Sequence, residues 1–188
     1  MFTGIVQAVG RILSTQPFEI DSASLDLADV AVGDSICVQG VCLTVTALKP
    51  RGFSADLSAE TLRVSAGLDR PGAVNLEKSL ALNGKLGGHL VSGHVDGVGE
   101  VVKKDGSVFA FRAPQALAKY LAAKGSVCVD GVSLTVNRVE GCEFEVNLIP
   151  HTLEVTTLAR LAPGVRVNLE VDLIARYVER LWSASRSG

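Results

Sequence analysis

The feature that most constrains the fold is an internal duplication, because the first half of the chain returns in the same order in the second half. Residues 1–10 match residues 90–99, and residues 35–46 match residues 126–137 with eight of twelve positions identical. The offset between matched residues drifts only from 89 to 93. A period near 90 is longer than the roughly 20–50 residues of solenoid units. The chain is therefore predicted to be a duplicated domain.

Each repeat consists mainly of short runs rich in Val, Ile, Leu and Thr, separated by glycine and proline turns. This pattern predicts several short strands, closed into a small antiparallel barrel or packed as a sandwich. In the first repeat the predicted strands are residues 5–13, 35–39, 41–48 and 52–57. Within the two repeats, helices are predicted at residues 59–66, 114–124 and 151–159.

The C-terminal segment, residues 172–188, has no counterpart in the first repeat. It spaces apolar residues at helical period, with Asp172 placed to cap the N-terminus of the helix. The apolar residues are Leu173, Ile174, Tyr177, Val178, Leu181 and Trp182. The pattern leaves two roles open, since the helix could pack on its own barrel or join copies of the chain.

Composition excludes several classes of partner. A net charge of −2 and 5% aromatic residues argue against nucleic acid and anionic membranes. The chain has no apolar run of about 18 residues and no basic leader, so we expect a soluble, cytoplasmic protein. We expect no metal, because His89 and His94 would point to opposite faces of an extended strand. Cys37, Cys128 and Cys142 are predicted to be reduced, buried thiols.

The repeats also differ at polar positions, where the two halves can do different work. Cys42 in the first repeat corresponds to Ser133 in the second, within a run that is otherwise nearly identical. Both side chains can act as nucleophiles, which favours a functional reason for this difference. Neutral drift is the preferred explanation where Glu60 corresponds to His151. The other mismatched pairs are Ile5 with His94, Gln39 with Asp130, Asp56 with Asn147, and Gly33 with Lys124.

Five motifs, in order along nearly the whole chain, resemble the riboflavin synthases of the duplicated-barrel type. They are MFTGIV (1–6), GVCLTV (40–45), GGHLVSGHV (87–95), DGVSLTV (130–136) and LIPxTL (148–153). The resemblance implies an all-β protein of two tandem six-stranded Greek-key β-barrels with a C-terminal α-helix. The implied domains are residues 1–86, residues 87–171 and an oligomerisation helix at residues 172–188, which assembles a homotrimer.

The resemblance also implies an activity. Two molecules of 6,7-dimethyl-8-ribityllumazine would yield one riboflavin and one 5-amino-6-ribitylaminouracil, as a four-carbon unit passes from donor to acceptor. Donor and acceptor would lie in facing barrels of neighbouring subunits, without metal or organic cofactor. Lumazine synthase is a candidate partner. The rival hypotheses are a barrel that holds a lumazine or flavin without turnover, and a flavin-reductase-type barrel module.

The family's substrate contacts transfer to three groups of residues. The first pocket would use Cys42, Leu43, Thr44, Asp56, Leu57, Ser58, Ala59, Glu60 and Thr61. The second pocket would use Gly93, His94, Val95, Ser133, Leu134, Thr135, Asn147, Leu148, Ile149, Pro150, His151 and Thr152. A neighbouring chain would supply Gly4, Ile5, Val6 and Lys124.

Four of the implied site residues would carry the chemistry. His94 is the expected proton shuttle, because an imidazole titrates near neutral pH. Ser133 and Cys42 are expected nucleophiles or anion stabilisers, and Asp172 would orient one of them. Two departures from the family pattern bear on the site: Val41 stands where many members have a second cysteine, and His151 replaces a common glutamate.

Overall fold

The computed structural model describes residues 1–186 and contains two closed six-stranded barrels followed by a helix. The predicted fold class is confirmed. Barrel 1 has the strand order β1-β2-β5-β4-β3-β6, and barrel 2 repeats that order with its own six strands. The strands of barrel 1 are β1 (Ala8–Thr15), β2 (Phe18–Asp21), β3 (Ser35–Val38), β4 (Val41–Lys49), β5 (Gly52–Ala55) and β6 (Gly72–Lys78). The strands of barrel 2 are β7 (Gly97–Asp105), β8 (Val108–Arg112), β9 (Ser126–Val129), β10 (Val132–Glu140), β11 (Glu143–Asn147) and β12 (Arg166–Val171).

Short helices connect the strands, and a longer one ends the described chain. The α-helices are α1 (Ala59–Val64), α2 (Pro150–Val155) and α3 (Leu173–Ser185), and two 3₁₀ helices span Gln115–Tyr120 and Thr157–Arg160. The helix predicted at residues 114–124 is therefore only a short 3₁₀ segment. Pro114 precedes it and lacks a side chain that could cap it.

Alternating side chains fill each barrel. In β4 the apolar residues Val41, Leu43 and Val45 point inward and are buried, while Thr44 and Thr46 are exposed. This alternation is the period of two expected for a strand with one buried face. Barrel 2 adds stacked aromatic rings to its core, with Phe109, Phe111 and Phe144 adjacent in space. Each repeat thus builds its own core, as a duplicated domain requires.

The two barrels meet around a pseudo-twofold axis, since contacts across the junction occur in reciprocal pairs. The amide N–H of Phe2 donates to the carbonyl of Val91 at 2.7 Å, and the amide of Val91 donates back at 3.0 Å. The turns at Gly40 and Gly131 lie back to back. A Cβ added to either glycine would lie 2.9 Å from the other's amide nitrogen. Only glycine permits this approach, which explains its presence at both turns.

Helix α3 contacts barrel 2 through its polar side. Arg176 pairs with Asp96 at 2.6 Å, and Glu179 pairs with Lys119 at 2.7 Å. Its large apolar side chains are exposed to solvent. They are Ile174 (68%), Tyr177 (67%), Val178 (59%), Leu181 (72%) and Trp182 (64%). Packing on its own barrel, one of the two roles left open by the sequence, therefore does not cover these side chains. No helix within residues 1–186 is long and apolar enough to cross a membrane.

Candidate functional site

Each barrel is preceded by a loop that a buried glutamate holds in place. In barrel 1, Glu77 on β6 accepts hydrogen bonds from the amide and hydroxyl of Thr3, both at 2.7 Å, and from the amide of Gly4 at 3.0 Å. Burial raises the pKa of Glu77, and the Thr3 and Gly4 donors act against that rise. These bonds explain why the first strand begins at Ala8 rather than at the predicted residue 5.

Barrel 2 repeats the arrangement. Glu170 on β12 accepts from the amide of Ser92 at 2.6 Å, from its hydroxyl at 2.7 Å, and from the amide of Gly93 at 2.9 Å. Buried carboxylates are costly unless several donors satisfy them, and here the loop backbone supplies those donors. The two loops are thereby fixed in the same shape relative to their own barrels.

The two loops then cross over, so that one lies against Ser133 and the other against Cys42 of the opposite barrel. The carbonyl of Gly4 accepts from the amide of Ser133, and the carbonyl of Gly93 accepts from the amide of Cys42, both at 2.8 Å. A Cβ on Gly4 would lie 2.6 Å from the Ser133 Cβ, and one on Gly93 would lie 2.7 Å from the Cys42 Cβ. Both glycines have a positive φ, at 73° and 77°. One chain therefore forms two equivalent sites, each built from both barrels.

The site around Cys42, here called the Cys42 site, is an open cleft of about 210 Å³. Strand β4, helix α1 and the loop at residues 93–95 supply its walls. The side chain of Ser58 caps α1 by accepting from the amide of Thr61 at 3.0 Å. The residues lining the cleft are Val41, Cys42, Glu60, Thr61, Val64, Ser65, Gly93, His94 and Val95.

The site around Ser133, here called the Ser133 site, has a feature that the Cys42 site lacks. Nδ1 of His89 lies 2.7 Å from Oγ of Ser133. Gly88 permits the contact, since a Cβ there would lie 2.8 Å from the same Oγ. Burial lowers the pKa of His89, against an opposing influence of Asp172, so the imidazole is neutral near pH 7. A neutral imidazole beside a hydroxyl can accept its proton, as in a nucleophile–base pair.

The other ring nitrogen of His89 strengthens this interpretation. Its Nε2 is buried and has no hydrogen-bond partner within residues 1–186. Buried polar atoms without partners are rare in native proteins and concentrate where function requires them. Sequence reasoning missed this histidine, because His89 lies just before Leu90, the residue that matches Met1, and so had no counterpart for comparison.

The contacts within one chain group two sets of residues differently from the sequence analysis. Gly93, His94 and Val95 lie beside Cys42, although the resemblance assigned them to the pocket of Ser133. Gly4 contacts Ser133 of its own chain, and the contribution expected from a neighbouring chain stays a prediction. The reason is the crossing of the two loops, which a comparison of aligned repeats cannot show.

The remaining polar residues of interest lie in different places. Asp172 caps α3 by accepting from the amide of Ile174 at 2.9 Å. Lys124 takes a positive φ of 68°, and its amide donates to Val136 just as the amide of its counterpart Gly33 donates to Val45. Asp130, which the repeat comparison singled out as a mismatch with Gln39, lies at the junction of the barrels, where it accepts from the amide of Asn168 at 2.8 Å.

The expected binding segments of the two barrels occupy equivalent positions. Residues 56–61 run from β5 into α1, and residues 147–152 run from β11 into α2. Three of the predicted contact residues, Leu43, Leu134 and Leu148, are buried in the barrel cores. Their side chains stabilise the barrels and are not exposed to a ligand.

Comparison with known proteins identifies the family. The lumazine binding domain family matches twice, over residues 3–79 and 92–172. The riboflavin synthase of Photobacterium phosphoreum is 50% identical over 96% of this chain and 88% of its own length. That of Mycobacterium bovis is also 50% identical, over 96% of this chain and 98% of its own.

Solved structures share the fold. LumP in complex with riboflavin has a TM-score of 0.79 at 24% identity, over 91% of this chain and 99% of LumP. LumP in complex with 6,7-dimethyl-8-(1'-D-ribityl) lumazine has a TM-score of 0.77 at 23% identity. Two lumazine binding domains in tandem, each completed by the loop of the other, together with relatives that are half identical over nearly the full length, place this chain in the riboflavin synthase family.

Proposed function

We propose that the protein converts two molecules of 6,7-dimethyl-8-ribityllumazine into one riboflavin and one 5-amino-6-ribitylaminouracil. The observation that carries this proposal is the pair of equivalent but chemically unlike sites. One site presents Cys42, and the other presents Ser133 paired with His89. A reaction between two copies of one substrate needs two pockets of one shape and two different chemical roles.

The reaction is a dismutation, so its atoms and electrons balance without an added oxidant or reductant. A four-carbon unit leaves one lumazine and joins the other, and the first becomes the uracil product. The donor chemistry requires a nucleophile at C7 of one lumazine, and the acceptor chemistry requires loss of a proton from the C7 methyl of the other. The chain must therefore supply a nucleophile and a base at the two lumazines.

His89 and Ser133 fit these needs together. Because His89 is neutral and lies 2.7 Å from Ser133 Oγ, the imidazole receives the hydroxyl proton as the oxygen attacks the lumazine. His94, the shuttle expected from sequence, lies across the chain in the Cys42 site, where it faces the second substrate. Each lumazine would thus meet one histidine and one nucleophile-capable side chain.

Recognition of the substrate would rely mainly on the backbone. The pyrimidinedione edge of a lumazine alternates donors and acceptors, which suits strand-end amides and hydroxyl groups. Thr44 on β4 and its counterpart Thr135 on β10 are exposed next to Cys42 and Ser133. The polar residues that begin α1 and α2 would bind the ribityl chains.

Assembly into a homotrimer would bring unlike sites of neighbouring chains face to face. The exposed apolar stripe of α3 supports this proposal, because five large side chains at 59–72% exposure are uncovered in one chain. Contiguous apolar surface of this kind marks a contact with another protein surface. The Cys42 site of one chain would then face the Ser133 site of the next.

The test is to incubate the full chain with 6,7-dimethyl-8-ribityllumazine and follow riboflavin fluorescence and lumazine absorbance together. We expect one riboflavin for every two lumazines consumed, with the uracil product in equal amount. Binding of lumazine without conversion would refute the proposal and favour a chromophore-binding role.

A further inference from the structure

A surface groove lies where the two barrels meet, away from both sites described above. It has a volume of about 260 Å³. Both barrels line it, with the turn residues Gln39 and Asp130 next to each other at the pseudo-twofold axis. The remaining lining residues include the apolar side chains of Pro71, Leu161 and Val165.

Three arginines converge on this groove. Arg70 comes from barrel 1, and Arg160 and Arg166 come from barrel 2. Within residues 1–186 none of the three guanidinium groups has a hydrogen-bond or ion-pair partner. Arg160 also lines an adjoining cavity of about 270 Å³ together with Arg11, which is likewise without a side-chain partner in the described chain.

This concentration of charge is not a consequence of composition. The chain carries 18 basic and 20 acidic residues, for a net charge of −2, and many of its other exposed arginines pair with carboxylates. The groove carries three arginines and a single carboxylate, that of the buried Asp130, so positive charge is in excess there and an anion would offset the repulsion among the arginines. Guanidinium groups also bind phosphate with two parallel hydrogen bonds, which gives geometric selectivity.

We propose that the groove at the barrel junction binds a small anion of the diphosphate class. Such an anion has enough oxygen atoms to engage two or three arginines at once, whereas chloride does not. The apolar side chains beside the arginines would accommodate an organic group attached to the diphosphate, as in a nucleoside diphosphate. The site is separate from the lumazine sites, so its occupation is a property beyond the proposed reaction.

Asp130 provides a second test of the proposal. It is 3% exposed and is the acidic residue among those that line the groove. Its carboxylate accepts from the amide of Asn168 and from the side chain of Gln39. Asp130→Asn removes the negative charge and keeps an oxygen for the Asn168 amide, so it should tighten anion binding at pH 8.

The experiment is isothermal titration of the full chain with pyrophosphate at low ionic strength. We expect one pyrophosphate per chain, and binding weaker by about 10-fold or more in the Arg160→Ala, Arg166→Ala double variant, since each lost guanidinium removes charge-assisted hydrogen bonds to the anion. Arg138→Ala is the matched control, because Arg138 is exposed but lies outside the groove and pairs with Glu140. Asp130→Asn should bind more tightly than the natural chain.

Further titrations distinguish a diphosphate site from other outcomes. A nucleoside diphosphate that binds more tightly than pyrophosphate would show that the apolar wall contributes. Equal binding by the double variant and the natural chain, or an equal loss in Arg138→Ala, would overturn the proposal. So would the loss of pyrophosphate binding when chloride replaces a large organic anion at the same ionic strength. Lumazine conversion should be unchanged in the double variant, which keeps this test independent of the proposed reaction.

Discussion

The two sites of one chain share a backbone arrangement and differ in their side chains. In both, a buried glutamate holds a loop whose glycine carbonyl accepts from the amide of the reactive residue. The Cys42 site combines a thiol with exposed His94, while the Ser133 site pairs a hydroxyl with half-buried His89 at 2.7 Å. The two repeats have the same backbone geometry at these sites but different side chains. The backbone therefore determines where each residue lies, and the side chains determine what chemistry each site can support.

The largest effect is expected from separating the chains, if unlike sites of neighbouring copies must face each other. The double substitution Leu181→Asp with Trp182→Asp places two charges on the exposed stripe of α3 and should abolish both assembly and riboflavin formation. Each large apolar side chain contributes roughly 1.5–3 kcal/mol when buried. The two substitutions remove this contribution and place two charges in the contact between chains, so the assembly should no longer be stable. Sedimentation and the fluorescence assay measure the two outcomes.

The matched control for that experiment is Arg180→Asp, an exposed residue of the same helix outside the apolar stripe. It should stay assembled and active. A charged-stripe variant that sediments as a monomer and still turns over normally would show that one chain suffices.

The next largest effect distinguishes the two reactive residues directly. Ser133→Ala should lower kcat by about 10²–10³-fold, because it removes the group positioned by a base, while Cys42→Ala should cost about 10-fold. Lumazine affinity should change little in either variant, since recognition is assigned to other groups. Steady-state kinetics measures kcat, and equilibrium binding measures the affinity for lumazine. Equal losses of kcat in the two variants would contradict the proposed difference between the two sites.

A smaller effect is expected from His89, with a signature in pH. In the natural protein kcat/KM should fall on acidification, once His89 is protonated below the ordinary histidine value of about 6.5, because burial lowers its pKa. His89→Gln should reduce kcat by about 10–100-fold and remove that acid limb. His94→Gln is the control and should retain the limb. An acid limb that persists in His89→Gln would assign the titration to another group.

The smallest effect on turnover, but a clear effect on stability, is expected from Asp130 at the barrel junction. Burial raises its pKa to about 7. Between about pH 4 and pH 7 the unfolded chain has lost this proton and the folded protein retains it, so stability should decrease as pH rises through that window and level off above it. The loss is at most about 4 kcal/mol.

Asp130→Asn should remove this slope and leave the variant more stable than the natural chain at pH 8, with riboflavin formation unchanged. Urea denaturation at pH 5, 6, 7 and 8 measures the free energy of unfolding. Parallel pH profiles for the two proteins would contradict the assignment.

The sequence predicted the architecture well, because a duplication with strand periodicity leaves few alternatives. It failed where contacts depend on how the halves are placed. The pairing of Gly93 with Cys42 and of Gly4 with Ser133 depends on loops that cross between barrels, and aligned repeats give no sign of crossing. The mismatch between Gln39 and Asp130 gave no sign that both residues lie at the junction of the barrels, where the structure places them. The predicted strands of the first repeat also left out β2 (Phe18–Asp21) and β6 (Gly72–Lys78).

We propose that one chain holds two lumazines in equivalent pockets and uses them differently. Equilibrium titration of the Ser133→Ala variant with 6,7-dimethyl-8-ribityllumazine tests this proposal, because slow turnover allows the bound lumazines to be counted. We expect two sites per chain with different affinities and almost no riboflavin formed during the titration. A single lumazine per chain, or riboflavin formed at the rate of the natural protein, would contradict it.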